Sequence, residues 1–171
     1  MAFQRQPTRL PGAARVGHVA LHTEEVTIHG EYGHDARMVV AAALVRHGRV
    51  LVQQRAFPPE IAGHWELPGG RVEPGETAAD ALVRECREEL AVGVVPGDQL
   101  GSDVSLSGGY VLRVHVAWLV QPTATPLAAE HAALRWVNPT ELAELDWLDA
   151  DRAILPDLAA LLKAQHNGLC Q

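Results

Sequence analysis

Three glutamates on one predicted helix, Glu85, Glu88 and Glu89, are the side chains of this sequence best suited to chemistry. Residues three or four positions apart share a face of a helix, so these like charges repel one another unless a cation lies between them. Hard divalent ions such as Mg²⁺ take oxygen ligands and keep waters, which leaves positions for phosphate groups and a nucleophilic water. The alternative interpretation is a solvated acidic face on which Arg84 is an ordinary partner of Glu88.

The residues just before this helix favour the metal interpretation. Gly69 and Gly70 let the backbone approach a ligand closely, and a Pro-Gly pair after them bends the chain so that Glu76 lies near the start of the helix. Thr77, with Asp80 three residues on, resembles a capping box. Loop and helix are therefore expected to form one unit.

The elements that must position this unit can be predicted from periodicity. The helix has one apolar stripe, formed by Ala79, Leu82, Val83, Cys86 and Leu90, which makes Cys86 a core thiol and lets the three glutamates face one cleft. Strands are predicted at Met38–Val45, Val50–Arg55, His64–Leu67, Val94–Leu106, Tyr110–Val120 and Leu134–Val137. A turn is predicted at Pro68-Gly69-Gly70, and a last helix begins near Pro156 and ends at Asn167-Gly168.

Composition limits the class of protein. A chain of 171 residues, 47% of them hydrophobic, suits one domain, here 37–171, preceded by an extension over 1–36 that holds few large apolar residues. The formal net charge of −7 argues against a general nucleic-acid binder. Two cysteines without a ligand spacing, no apolar leader and no apolar run long enough for a bilayer predict a cytoplasmic protein without membrane contact.

The central stretch resembles the Nudix box, G-x5-E-x7-R-E-U-x-E-E-x-G-U, in which U is apolar. The matching residues are Gly70, Glu76, Arg84, Glu85, Cys86, Glu88, Glu89 and Val92. Ala91 stands where the family has glycine. We therefore expect either that alanine in a left-handed cap lowers stability by about 1 kcal/mol or that the helix end shifts toward Gly93. The carboxylates are unaffected by this departure.

The wider sequence W-E-L-P-G-G-R-V-E-P-G-E resembles the MutT-like branch of that family, and its CTP pyrophosphohydrolases in particular, over most of residues 38–165. The resemblance implies an α/β fold, an α/β/α sandwich around a mixed β-sheet, and Mg²⁺-dependent substitution at phosphorus, with Mn²⁺ as a possible substitute. The metal ligands that it implies are the Gly69 carbonyl, Glu85, Glu88, Glu89 and, from a later loop, Glu130. Glu88 and Glu89 are assigned mainly to metal and Glu85 to metal or general base, with Arg84 as a fourth catalytic-site residue.

The substrate-binding residues implied by the resemblance are Arg55, Leu67, Arg71 and Asp151. A carboxylate accepts hydrogen bonds, which suits the exocyclic amine of cytosine, so Asp151 favours CTP or dCTP, cleaved to monophosphate and pyrophosphate. The alternatives are an 8-oxo-dGTP diphosphatase, a plain helix N-cap role for Asp151, and surface roles for the two arginines.

Three further alternatives differ in class. ADP-ribose hydrolases tend to have proline where this chain has Ser107, and dinucleoside polyphosphate hydrolases tend to have tyrosine near the position of Tyr110. A nucleotide-sensing module without catalysis usually loses box glutamates, and none is lost here. The expected partner is a nucleotide substrate, with the chain a monomer or homodimer.

Overall fold

The computed structural model of the protein describes residues 37–168, so the predicted extension at 1–36 lies outside the described residues. The strands are β1 (Arg37–Arg46), β2 (Arg49–Gln54), β3 (Trp65–Glu66), β4 (Gly69–Arg71), β5 (Val94–Gln99), β6 (Val104–Ser105), β7 (Tyr110–Leu119) and β8 (Ala133–Val137). The helices are α1 (Ala78–Leu90), α2 (Asp149–Arg152) and α3 (Leu155–Gly168), with 3₁₀ turns at Ser107–Gly109 and Glu141–Glu144. Within 37–168 no helix combines the length and apolarity needed to cross a bilayer.

Strand β1 organises a mixed sheet. It runs parallel to β7 and antiparallel to β2 and β4, while β5 and β6 pair with β7, and β3 and β8 pair with β2. Its apolar run is continuous because both faces are covered. Residues 40, 42 and 44 pack with α1, and residues 41, 43 and 45 pack with α3. The predicted α/β/α sandwich with a mixed sheet is thereby confirmed.

Several local predictions are confirmed and three are wrong. The β1–β2 hairpin, the buried Cys86 and the last helix are present. Pro68-Gly69-Gly70 is not a turn, since Gly69 and Gly70 belong to β4 and pair with Ala41 and Val40 of β1. The strand predicted at 94–106 is interrupted after Gln99, and Ala79 is exposed while Ala81 takes its place in the core.

The ends of α1 explain its length. The Thr77 hydroxyl oxygen accepts the Asp80 N–H at 3.1 Å, as a capping box requires, and the Thr77 hydroxyl donates to the Asp80 carboxylate at 2.6 Å. At the other end Ala91 itself takes the left-handed C-cap conformation, with φ 56° and ψ 30°. The helix therefore stops where the glycine of the family would stop it, and the backbone strain falls on an alanine.

Candidate active site

Strand β4 and helix α1 meet through a glycine. A Cβ added at Gly70 would overlap the carboxylate of Glu85, and a Cβ at Gly69 would overlap the backbone of Val40 and Ala41. Glycine is thus required at Gly69, because the backbone of β1 leaves no room for a Cβ, whereas a Cβ at Gly70 would meet only the flexible end of the Glu85 side chain. The Glu85 carboxylate therefore lies close to Gly70 of β4.

Arg84 joins the carboxylates of the box. Its Nε and Nη2 donate to the two oxygens of Glu76, both at 3.0 Å, and its Nη1 donates to Glu85 at 2.8 Å and to Glu88 at 3.2 Å. Nη2 also donates to the Arg71 carbonyl at 3.0 Å. The hydrogen bonds that Glu76 accepts from Arg84, and after them the one from the Glu73 N–H at 3.1 Å, hold the pKa of the Glu76 carboxyl below its usual range. The predicted pair with Glu88 is confirmed as one part of a larger network.

Glu89 is the buried carboxylate of the three. Its Oε2 accepts the Gly69 N–H and the Gln53 amide, each at 3.0 Å, and its Oε1 lies 3.9 Å from His131 Nε2. Burial raises the pKa of Glu89 to about 6, and the hydrogen bond from Gln53 opposes that shift. Glu85 is half-buried and Glu88 exposed, so the three glutamates span the wall of a cleft from inside to surface.

A cavity of about 440 Å³ opens beside Glu89. Its lining consists of Arg55, Ala56, Phe57, Glu89, Ala129, Glu130 and His131. Two of the lining residues contact Glu66. Its Oε1 accepts a hydrogen bond from Arg55 Nη1 at 3.1 Å and lies 2.9 Å from His131 Nε2. Two of the predicted site residues from distant segments, Arg55 and Glu130, are therefore brought to the same opening as Glu89.

The remaining predicted substrate residues lie elsewhere. Arg71 is exposed, with its guanidinium carbon 5.0 Å from the centroid of the Tyr110 ring, and it is not among the residues that line the cavity beside Glu89. Arg37 contacts the same ring at 5.5 Å. Tyr110 thus packs against two cations.

Asp151 and Leu67 form a buried pair. The Leu67 N–H donates to Asp151 Oδ1 at 3.0 Å, and both residues are buried. Asp151 lies inside α2, whose N-cap is Leu148, so the alternative N-cap role is wrong, and α2 is separate from the final helix. Burial raises the pKa of the Asp151 carboxyl to about 7, while the Leu67 hydrogen bond opposes the shift. Ionised and protonated forms are both populated near neutral pH.

The donor set suits a hard divalent cation. Within 37–168 no three His, Cys, Asp or Glu side chains are already grouped around a common point. The carboxylates are held apart by their hydrogen bonds. Glu85 and Glu88 accept from Arg84, whereas Glu89 accepts from the Gln53 side chain and the Gly69 N–H. A cationic nitrogen, Arg84 Nη1, nevertheless lies between Glu85 and Glu88. These carboxylate oxygens can therefore share one positive charge, as ligands of Mg²⁺ must.

Gln53, Glu66 and His131 support the site and are missing from the sequence-based prediction. Gln53 is fully buried, although it continues the apolar run of β2, and a polar residue at such a position signals a buried partner. His131 directly follows Glu130, and Glu66 directly precedes Leu67. Both could have been chosen as candidates because they are next to predicted site residues in the sequence.

Carboxylates at a strand–helix junction, beside a cavity that Arg55 also lines, suit the binding of metal-bound phosphate groups. The chain belongs to the Nudix family, since the NUDIX domain model matches residues 35–158. It is accordingly a Nudix hydrolase, and enzymes of this family generally use divalent metal ions.

Named relatives agree with that assignment. A Mycobacterium tuberculosis protein provisionally named 8-oxo-dGTP diphosphatase 2 is 47% identical over 129 residues, covering 74% of this chain and 90% of its own. The CTP pyrophosphohydrolase of Escherichia coli is 39% identical over 128 residues, covering 74% and 94%. The crystal structure of a MutT Nudix hydrolase from Burkholderia pseudomallei superposes with a TM-score of 0.58 at 31% identity, covering 71% and 97%. The predicted resemblance to MutT-like Nudix hydrolases is confirmed.

Proposed function

We propose that the protein hydrolyses nucleoside triphosphates, CTP or dCTP foremost, to the monophosphate and pyrophosphate in a Mg²⁺-dependent reaction. The observation that carries this proposal is the cavity beside Glu89, which is lined by the cationic residue Arg55 and by the carboxylate residues Glu89 and Glu130. An anionic phosphate chain is attracted by the guanidinium but repelled by the carboxylates. Bound cations remove that conflict, because they are attracted by phosphate and carboxylate alike.

The residues that would hold the metal are Glu85, Glu88, Glu89, Glu130 and the Gly69 carbonyl. Metal supplies charge neutralisation on the phosphates and lowers the pKa of bound water. In the reaction a water oxygen bonds to phosphorus as the anhydride bond between the first and second phosphates breaks. The water proton passes to a carboxylate, for which Glu85 is our candidate. Arg84 acts as a positioning residue, because its contacts fix Glu85 and Glu88 relative to Glu76.

The choice of nucleobase depends on Asp151. Its ionised form only accepts hydrogen bonds, which supports a cytosine amine, whereas its protonated form also donates to a carbonyl edge. Because burial brings the pKa of Asp151 to about 7, the protonated form supports a second candidate, 8-oxo-dGTP. The name of the Mycobacterium tuberculosis relative, at 47% identity, also favours that candidate.

A substrate panel tests the proposal. Turnover with Mg²⁺ and with Mn²⁺ is measured for CTP, dCTP, 5-methyl-dCTP, 8-oxo-dGTP, ADP-ribose and diadenosine tetraphosphate. We expect dCTP or CTP to have the highest kcat/KM, and a clear preference for 8-oxo-dGTP would refute the cytosine assignment. Asp151→Asn should change the ratio of kcat/KM values for dCTP and 8-oxo-dGTP.

The metal assignment has its own variant. Glu88→Gln should remove most activity and leave the fold intact, because this side chain is 56% exposed and contributes little to the core. Glu144→Gln, a change at an exposed carboxylate outside the box, is the matched control and should keep full activity. Full activity of Glu88→Gln would refute its role, and absence of turnover of every nucleotide by the wild type, with tight binding of one, would refute the enzyme proposal.

A further inference from the structure

Phe57 is the most exposed of the large hydrophobic side chains within 37–168, at 74%. Phe57 is one of the residues that line the cavity beside Glu89 and Glu130. A single apolar side chain on a surface needs no explanation by itself. An aromatic ring at the rim of a reaction site is different, because it presents a face on which a planar ligand group can stack.

The loop that carries Phe57 is closed by its own hydrogen bonds. The Arg55 N–H donates to the His64 carbonyl, and the Gly63 N–H donates to the Arg55 carbonyl, both at 2.9 Å. The Arg55 guanidinium donates to the Phe57 carbonyl at 3.1 Å and to Glu66 at 3.1 Å. The backbone of the loop at Phe57 is thus fixed beside the cavity before any ligand binds, which reduces the ordering cost of binding.

The cavity walls differ in chemistry. Glu89, Glu130 and Arg55 suit metal-bound phosphates, whereas Phe57 is the exposed aromatic residue of the lining. The other ring in the lining belongs to His131, whose side chain is 5% exposed and lies 2.9 Å from Glu66. A nucleotide has the same division, with a charged phosphate chain at one end and a planar base at the other. We propose that Phe57 stacks on the nucleobase of the substrate while the phosphates lie toward the carboxylates. This inference rests on the proposed nucleotide hydrolysis and adds a base-binding surface to it.

Stacking has a kinetic signature that separates Phe57 from Asp151. Every base has a π-face, so stacking contributes affinity without choosing between bases. The contact exists in both the ground state and the transition state, so its loss raises KM and leaves kcat unchanged. Removal of the ring should therefore raise KM about 10-fold for cytosine and guanine nucleotides alike, and base preference should stay the same.

The test measures kcat and KM for dCTP and 8-oxo-dGTP with Mg²⁺ in wild type, Phe57→Ala, Phe57→Leu and Phe57→Trp. The leucine variant keeps an apolar side chain without a ring, and the tryptophan variant keeps a ring. Val95→Ala is the matched control, since Val95 is a 51% exposed apolar residue of β5 that does not line the cavity. We expect about a 10-fold higher KM for alanine and leucine, and wild-type values for tryptophan and the control.

Each other outcome has a defined meaning. An unchanged KM in Phe57→Ala, wild-type behaviour of Phe57→Leu, or a fall in kcat alone would overturn the stacking inference. If the wild type hydrolyses no nucleotide, the proposed function fails, and calorimetric binding of CMP in EDTA then decides the inference separately. Binding about 10-fold weaker in Phe57→Ala than in wild type would support it, and absence of CMP binding by the wild type would overturn it.

Discussion

Replacement of Asp151 by asparagine should stabilise the protein, and more so as the pH rises. Burial raises the pKa of this carboxyl from 3.8 to about 7, so the unfolded chain releases its proton at lower pH than the folded chain does. Between these two values the folded state binds more protons, and stability is lost as the pH rises through the interval. Asparagine has no charge to bury and can still accept the Leu67 N–H with its side-chain oxygen.

The magnitude follows from the shift. Three pKa units correspond to about 4 kcal/mol, of which about 3 kcal/mol falls between pH 4.5 and pH 8. The free energy of unfolding of wild type and Asp151→Asn is measured by urea denaturation at both pH values, with EDTA present so that metal binding does not contribute. The free energy of unfolding of Asp151→Asn minus that of the wild type should be about 3 kcal/mol larger at pH 8 than at pH 4.5.

A difference between variant and wild type that is the same at the two pH values would refute the reasoning. It would mean that the carboxyl ionises as readily in the folded chain as in the unfolded chain. Asp149→Asn is the matched control, because this carboxylate is fully exposed in the same short helix. The change in the free energy of unfolding caused by Asp149→Asn should differ between the two pH values by no more than a few tenths of a kcal/mol.

Three further predictions concern α1. Ala91→Gly should raise the free energy of unfolding by about 0.5–1 kcal/mol in urea denaturation, because glycine adopts the left-handed cap conformation without strain, and a loss of stability would contradict the cap assignment. Arg84→Lys should lower kcat and destabilise by about 1–2 kcal/mol, since an ammonium cannot bridge three carboxylates in the guanidinium geometry; wild-type kcat would contradict its positioning role. In a Cys170→Ser background, Cys86 should react with a thiol reagent only on unfolding, because burial raises its pKa to about 12, and rapid labelling of the native protein would contradict this.

The predictable parts of the molecule are those that depend on neighbours in sequence. The β1–β2 hairpin and the helix α1 follow from apolar periodicity, and the Thr77 cap follows from a four-residue pattern. The pair Gly69-Gly70 was misassigned because glycine signals a turn and a close strand contact equally well. Glycine patterns alone do not say which of the two the fold uses.

The parts that escaped prediction depend on distant pairs. Gln53 reaches Glu89 across 36 positions of sequence, and Leu67 reaches Asp151 across 84. No local pattern encodes either contact, since each is fixed by the stacking of sheet and helices. The sequence predicts a substrate-binding role for Asp151, but the burial that raises its pKa depends on the packing of distant layers.

The contact of Gly70 with Glu85 has a consequence for how the protein loses activity. Together with the hydrogen bond from the Gly69 N–H to Glu89, it places α1 against β4, and β4 pairs with the buried centre of β1, so the carboxylates lie on elements of the core. Local opening usually begins in loops and at exposed ends, and elements of the core exchange their amide hydrogens only through global unfolding. Inactivation by heat or denaturant should accordingly coincide with the cooperative unfolding transition instead of preceding it.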